Sequence, residues 1–162
     1  MQNGAAHFTA EVKPEWIDAN NHMTFWAYMK LFDESLARFF ATAGIAPSSG
    51  SEPRELRTSQ HHVKYSKESF AGDRLEIEVQ ILGYGEKHIH IFQRMRNRGN
   101  GQLLAVEESV KTNLDAAIEL PLAERERAFQ PDVLERIARL AKEHERLPWP
   151  AEAGAAIKTP LP

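Results

Sequence analysis

The chain has 162 residues, 42% of them hydrophobic and 27% charged, with a formal net charge of −3 and no Cys. That length closes one domain core without staples, and the mild charge gives no electrostatic reason to expect nucleic acid or an anionic membrane. Without Cys there are no disulfides, thiol nucleophiles, Cys-ligated zinc sites or iron–sulfur clusters. No apolar run approaches the ~20 residues of a membrane span, and Met1–Ala10 lacks the pattern of a secretory leader, so a cytoplasmic protein is expected.

Residues 7–17 read as a first strand, with Phe8, Ala10 and Val12 alternating with polar neighbours and Pro14 limiting its far end. Residues 18–24 have the short polar side chains of a loop, and Thr24 suits a helix N-cap. From Phe25 the period changes. Phe25, Tyr28, Met29, Phe32, Leu36, Phe39, Phe40 and Ala43 fall at helical spacing up to Gly44, an aromatic stripe wide enough to need a sheet over it. Residues 46–57 read as a long connection.

Four strands are expected next, at 58–68, 74–82, 87–97 and 102–114. The second alternates Leu75, Ile77, Val79 and Ile81 with polar residues, and Gly83-Tyr84-Gly85 forms a turn. The third sets Ile89, Ile91 and Met95 against His88, His90, Arg94 and Arg96; Asn97–Gly101 is a hairpin turn. The fourth puts Leu104, Val106, Val110 and Leu114 in one register, which turns Glu108 inward unless a bulge intervenes. A second helix spans Pro131–Leu147 with a Glu135–Arg139 pair, and residues 148–162 read as a loose tail. The fold class is therefore α+β: a five-stranded antiparallel sheet around one long helix, plus a C-terminal helix. The units are a main domain over 1–120, a helical extension over 121–147 and a tail over 148–162. The uncovered sheet edge and face predict a homodimer or homotetramer.

The run Pro14-Glu15-Trp16-Ile17-Asp18-Ala19-Asn20-Asn21-His22-Met23, followed by the aromatic helix, resembles the acyl-CoA thioesterases of the hot-dog fold. Within that fold it looks like the 4-hydroxybenzoyl-CoA and betainyl-CoA thioesterase types. His62-Val63-Lys64-Tyr65 through Glu68 to Gly72-Asp73 looks like the family's second strand and turn. Leu103-Leu104-Ala105 through Glu108 to Asp115 looks like its last strand. The resemblance covers roughly residues 8–115 and implies hydrolysis of an acyl-CoA thioester to a free acid and coenzyme A. Asp18 stands at the family's catalytic carboxylate, and the Phe25 amide stands where the thioester carbonyl is polarised. Asn21 stands where a Gly is usual; Asn reaches left-handed backbone angles better than most residues.

Thiolate leaves readily, so the chemistry needs an activated water or nucleophile and a holder for the developing oxyanion. There is no Gly-x-Ser-x-Gly elbow. A carboxylate serves as base or as nucleophile, and an uncapped helix start supplies aligned amides. Taken alone, Asp18 reads first as a turn former and Thr24 as a cap; the resemblance reverses that reading. His22 either orients Asp18, contacts substrate or is a loop histidine held by backbone. Asn21, Trp26, His62 and Glu108 are assigned to substrate binding; the rings of Trp16, Trp26 and Phe25 either suit an aryl or short cationic acyl group or fill the core. Glu108 reads as paired, protonated or functional. Arg94 and Arg96 either meet the phosphates of coenzyme A or form a solvated face. His61 and His62 point to opposite faces, and His88 and His90 lack a third ligand, so no metal and no other cofactor is expected. The competing readings are a hydratase-type hot-dog protein and a non-catalytic acyl-CoA-binding module.

Overall fold

Phe25–Ala43 forms helix α1 with the bounds its aromatic spacing predicts. In the computed structural model, residues 5–45 and 53–157 are described. The helix stops at Gly44, whose φ of 68° is left-handed, and its amide bonds back to Ala41 and Phe40 carbonyls. The Arg136 guanidinium donates to the Gly44 carbonyl at 2.6 Å, and an added Cβ would meet that guanidinium at 3.3 Å. Glycine therefore answers both the turn and the close approach.

Five strands, β1 (Ala6–Glu11), β2 (Arg54–Tyr65), β3 (Arg74–Tyr84), β4 (His88–Asn97) and β5 (Leu103–Asp115), form one antiparallel sheet in the order β1-β3-β4-β5-β2. Helix α1 lies on one face. Ala27, Tyr28, Leu31 and Phe32 pack with Leu75, Ile77 and Met95, while Leu36, Phe39 and Phe40 pack with Val79, Ile81, Ile89 and Ile91. Burial of each large side chain there contributes about 1.5–3 kcal/mol. A short α2 (Leu122–Arg125), unexpected from the sequence, precedes α3 (Pro131–His144). Val133, Ile137 and Ala141 of α3 join the second cluster. Strand β1 pairs with β3 only as far as Val79, and past that point His144 Nδ1 accepts the Ile81 amide at 2.8 Å. The helix thus covers a stretch of otherwise open edge.

Several expectations need correction. The first strand ends at Glu11, because Pro14 opens a single 3-10 turn over Pro14–Trp16 instead of extending the strand. The second strand begins at Arg54 and ends at Tyr65, since Arg54–Arg57 pair with Asp115–Thr112; positions 46–52 of the expected connection lie outside the described residues. Strand β3 runs through Gly83 to Tyr84, with a register shift between Ile81 and Gly83. The i,i+4 ion pair on α3 is Asp132–Arg136, not Glu135–Arg139, and the helix stops at His144. Residues 148–157 are not a loose tail: Ile157 is buried and Gly154 donates to the Glu108 carboxylate. Positions 158–162 lie outside the described residues.

The parity of β5 is the correction that bears on function. Met95 faces Ala105, Gln93 faces Glu107 and Ile91 faces Ser109. Cross-strand partners share a face, so Ala105, Glu107, Ser109 and Lys111 look toward α1. Val106, Glu108 and Val110 look the other way and are equally buried. A strand covered on both faces shows no alternation from which to read its register.

Candidate active site

The segment between β1 and α1 folds into a tight loop closed by a bridge between Ile17 and Met23. The Asp18 amide donates to the His22 carbonyl at 2.9 Å, and the Asn21 amide donates to the Asp18 carbonyl at 3.0 Å. Asp18 Oδ1 accepts the Asn20 amide at 2.8 Å and the His22 amide at 3.3 Å. Oδ2 takes part in no hydrogen bond among the described residues. The turn therefore orients the carboxylate and leaves one oxygen for chemistry. Asn21 closes the turn with φ of 65°, the one positive φ outside glycine among the described residues. Asn21→Ala is expected to cost about 1–2 kcal/mol, since Ala lacks the short polar side chain that eases left-handed angles. Asn21→Gly should hold the parental melting temperature; equal stability of both variants in thermal unfolding would contradict this.

Two backbone bonds carry the chain into the helix: Met23 donates to the Ser69 carbonyl and Thr24 to the Trp16 carbonyl, each at 2.8 Å. Thr24 occupies the N-cap position with extended angles, as expected, yet its side chain makes no capping bond and its buried Oγ1 has no partner among the described residues. The first amides of α1 are thus left without a side-chain cap, with the positive end of the helix dipole behind them.

Asp18, His22, Phe25, Tyr28, Tyr65 and Glu68 line a cleft of about 320 Å³ at this helix start. His22 stands edge-on to Phe70 at 5.3 Å, and Tyr28 edge-on to Tyr65 at 5.2 Å. The Tyr28 hydroxyl donates to the Lys67 carbonyl at 3.3 Å. Burial, reinforced by the Glu68 charge, pushes the Tyr28 hydroxyl from 10.0 up to about 12. It remains a donor throughout the neutral range. Because the folded-state value is the higher one, the associated stability is complete below pH 10 and is lost as pH rises toward about 12. The loss is expected to reach about 2–3 kcal/mol. A melting-temperature profile should fall across that window, and Tyr28→Phe should flatten the fall.

The loop and helix start bring together Asp18, Asn21, His22 and Phe25; Trp26, the next residue, lines an adjoining cleft. The other assigned residues lie elsewhere. Glu108, with His62 opposite it on β2, belongs to the sheet face away from α1; Glu108 is held by His90 Nε2 at 2.8 Å and by the Gly154 amide. Arg94 and Arg96 lie on that same outer face, opposite Glu78 and Glu76, with Arg94 3.4 Å from Glu78. Arg96 donates to the Gly101 carbonyl at 3.2 Å, while a cross-strand carboxylate balances the Arg94 guanidinium. His7, Glu76 and Glu78 also bring three ligand-type atoms together there, beside that guanidinium. Tyr28, Tyr65 and Glu68 stand in the sequence as stripe, strand and turn residues and not as site candidates: a Tyr in the first turn of an apolar stripe reads as core, and its polar hydroxyl is the one signal to the contrary.

The chain matches the family model described as thioesterase-like superfamily over residues 12–157. It is 30% identical over 154 residues to the betainyl-CoA thioesterase of Pseudomonas aeruginosa, covering 94% of each chain. It is 31% identical to the L-carnitine dehydrogenase/betainyl-CoA thioesterase of Ruegeria pomeroyi, of which it spans 28%. Among solved structures, a Staphylococcus aureus protein in complex with CoA superposes with a TM-score of 0.79 at 24% identity, covering 99% of this chain and 98% of that one. The 1,4-dihydroxy-2-naphthoyl-CoA thioesterase of Synechocystis superposes with a TM-score of 0.69 at 15% identity, covering 82% and 94%. At such identities the structural matches speak for the fold, while the family match and the Pseudomonas relative run through the Asp18 loop, α1, the sheet and α3 alike. On that ground the chain belongs to the thioesterase-like superfamily and is a thioester hydrolase of the hot-dog fold.

Proposed function

We propose that the chain hydrolyses a small acyl-CoA thioester to the free acid and coenzyme A in the Asp18–Phe25 cleft. The observation that carries this reading is the juxtaposition of an oriented carboxylate with a helix start that no side chain caps. The thioester carbonyl oxygen accepts the Phe25 amide hydrogen, and the helix dipole stabilises the charge that develops there. Asp18 Oδ2 either takes a proton from water as that water attacks the carbonyl carbon, or attacks it directly and forms an anhydride that water then cleaves. In both routes the C–S bond breaks and coenzyme A leaves as thiolate. The names of the Pseudomonas and Ruegeria relatives support a compact, betainyl-like acyl group, and so does the exposed Trp26 ring.

The working unit is a homodimer or homotetramer in the cytoplasm, where acyl-CoA thioesters are made. Strand β2 is a sheet edge, and Phe25, Trp26, Tyr65 and Phe70 are 70%, 44%, 47% and 47% exposed around the cleft. Such an aromatic surface beside an open edge suits a second copy of the chain. Light scattering at micromolar concentration should give at least twice the chain mass; a monomer would contradict this. A thiol reagent that detects released coenzyme A across an acyl-CoA panel tests the activity and identifies the acyl group. Binding without release across the panel would favour the non-catalytic reading.

A further inference from the structure

Beside the catalytic cleft, Trp26, Met29, Thr58, His61, Glu107 and Lys111 line a second cleft of about 430 Å³ between α1 and β2. The two clefts lie end to end. Trp26 follows Phe25 on the helix, and His61 precedes Tyr65 by four residues on the same face of β2, about 13 Å along the strand.

The floor of the second cleft is a buried carboxylate. Glu107 is 4% exposed; it accepts Gln93 Nε2 on one oxygen and meets His61 Nε2 at 2.8 Å on the other. Neither partner carries a permanent positive charge. The ammonium groups nearby are engaged elsewhere: Lys111 donates to Thr58 and lies 3.9 Å from Asp33, and Lys30 pairs with Glu34. Among the described residues, no Lys or Arg forms an ion pair with Glu107. Desolvating a carboxylate without a cationic partner is costly. The surrounding polarity is also unspent, since Gln93 Oε1 and the neighbouring Ser109 Oγ are buried with no hydrogen-bond partner among the described residues. Purely structural packing under a helix would favour apolar residues at all three positions.

We infer that this cleft holds the acyl group and that Glu107 selects a compact acyl group bearing a positive charge. The inference rests on the thioesterase reading of the adjoining cleft. The cation stands over the Trp26 ring and supplies the countercharge that Glu107 lacks. His61 holds the carboxylate in place and acts as a positioning residue.

The decisive comparison is betainyl-CoA against 3,3-dimethylbutanoyl-CoA, which have the same shape and differ in replacing a quaternary nitrogen by carbon. The parent should prefer the cation by about 10- to 100-fold in kcat/KM. Glu107→Gln, nearly isosteric and able to keep both hydrogen-bond contacts, should bring the ratio close to one, chiefly through a higher KM for the cation. His61→Gln, which removes the imidazole that holds the carboxylate, should lower the ratio, but by less than Glu107→Gln does. A parental ratio near one overturns the inference with no variant needed, and so does a folded Glu107→Gln that keeps the parental ratio. The binding of the corresponding unreactive thioethers, measured by calorimetry, separates the two readings. A parent that releases no coenzyme A from any acyl-CoA but still binds the cationic thioether more tightly keeps the pocket and removes the hydrolase. Release of coenzyme A with equal thioether affinities does the reverse.

Discussion

Asp18→Asn is expected to lower kcat for acyl-CoA hydrolysis by about 10²–10⁴-fold while KM stays within a few-fold. Asn keeps an oxygen that can accept the Asn20 and His22 amides, so the turn retains its 2.8 Å and 3.3 Å bonds. What disappears is the second carboxylate oxygen, which no donor among the described residues holds, and with it the base and the nucleophile. The backbone amide at Phe25 is untouched, so the carbonyl is still polarised and substrate is still bound. The melting temperature should match that of the parent. Asp18→Ala should lose the same activity and also loosen the turn, because two amides lose their acceptor. A folded Asp18→Asn that turns over substrate at the parental rate would make Asp18 a turn residue and move the catalytic assignment to His22, which lines the same cleft.

Glu108→Ala is expected to cost about 3–5 kcal/mol and to leave KM unchanged. His90 and Glu108 are both fully buried, 2.8 Å apart, and the same carboxylate accepts the Gly154 amide at 3.0–3.1 Å. Removing it strands an imidazole nitrogen and a backbone N–H, while His90 Nδ1 already lacks a partner. The melting temperature should drop by about 10 °C. Protease cleavage within 148–157 should also accelerate, since that segment loses its anchor on the sheet. A raised KM at parental stability would instead return Glu108 to the substrate site.

How much of this was legible depended on how many neighbours each segment needs. Helix α1 could be read to the residue, because eight apolar positions share its period and Gly44 ends it. The alternation of β3 was equally plain, since polar residues mark its outer face. Strand β5 was opaque for the opposite reason. With α1 on one side and residues near Gly154 on the other, every position from Leu104 to Leu114 is buried, and the Val106–Val110 pattern suggested the wrong parity. That single step exchanged Glu107, which looks toward α1, for Glu108, which anchors the C-terminal segment. The segment itself has no periodicity; it is held by groups distant in sequence, the Glu108 carboxylate under Gly154, Gln80 under Pro148 and the buried Ile157, which composition does not reveal. In the proposed site, one continuous stretch builds the loop and the helix start, so the placing of Asp18, Asn21 and Phe25 together followed from the sequence, while their roles rest on the resemblance. Tyr28, Tyr65 and Glu68 converge from α1, β2 and the loop after it, and their convergence exists only once the sheet has closed.

The most direct test is a structure of the parent chain with an unreactive thioether analogue of an acyl-CoA that keeps a ketone oxygen, R–C(=O)–CH2–S–CoA. The acyl group should lie along the α1–β2 groove, and an oxygen in the carbonyl position should sit about 3 Å from the Phe25 amide nitrogen, facing Asp18 Oδ2. An analogue seated instead in the outer-face cavity of Ser59, Gln60, Lys87 and His88, with the Phe25 amide empty, would contradict the assignment of the Asp18–Phe25 cleft.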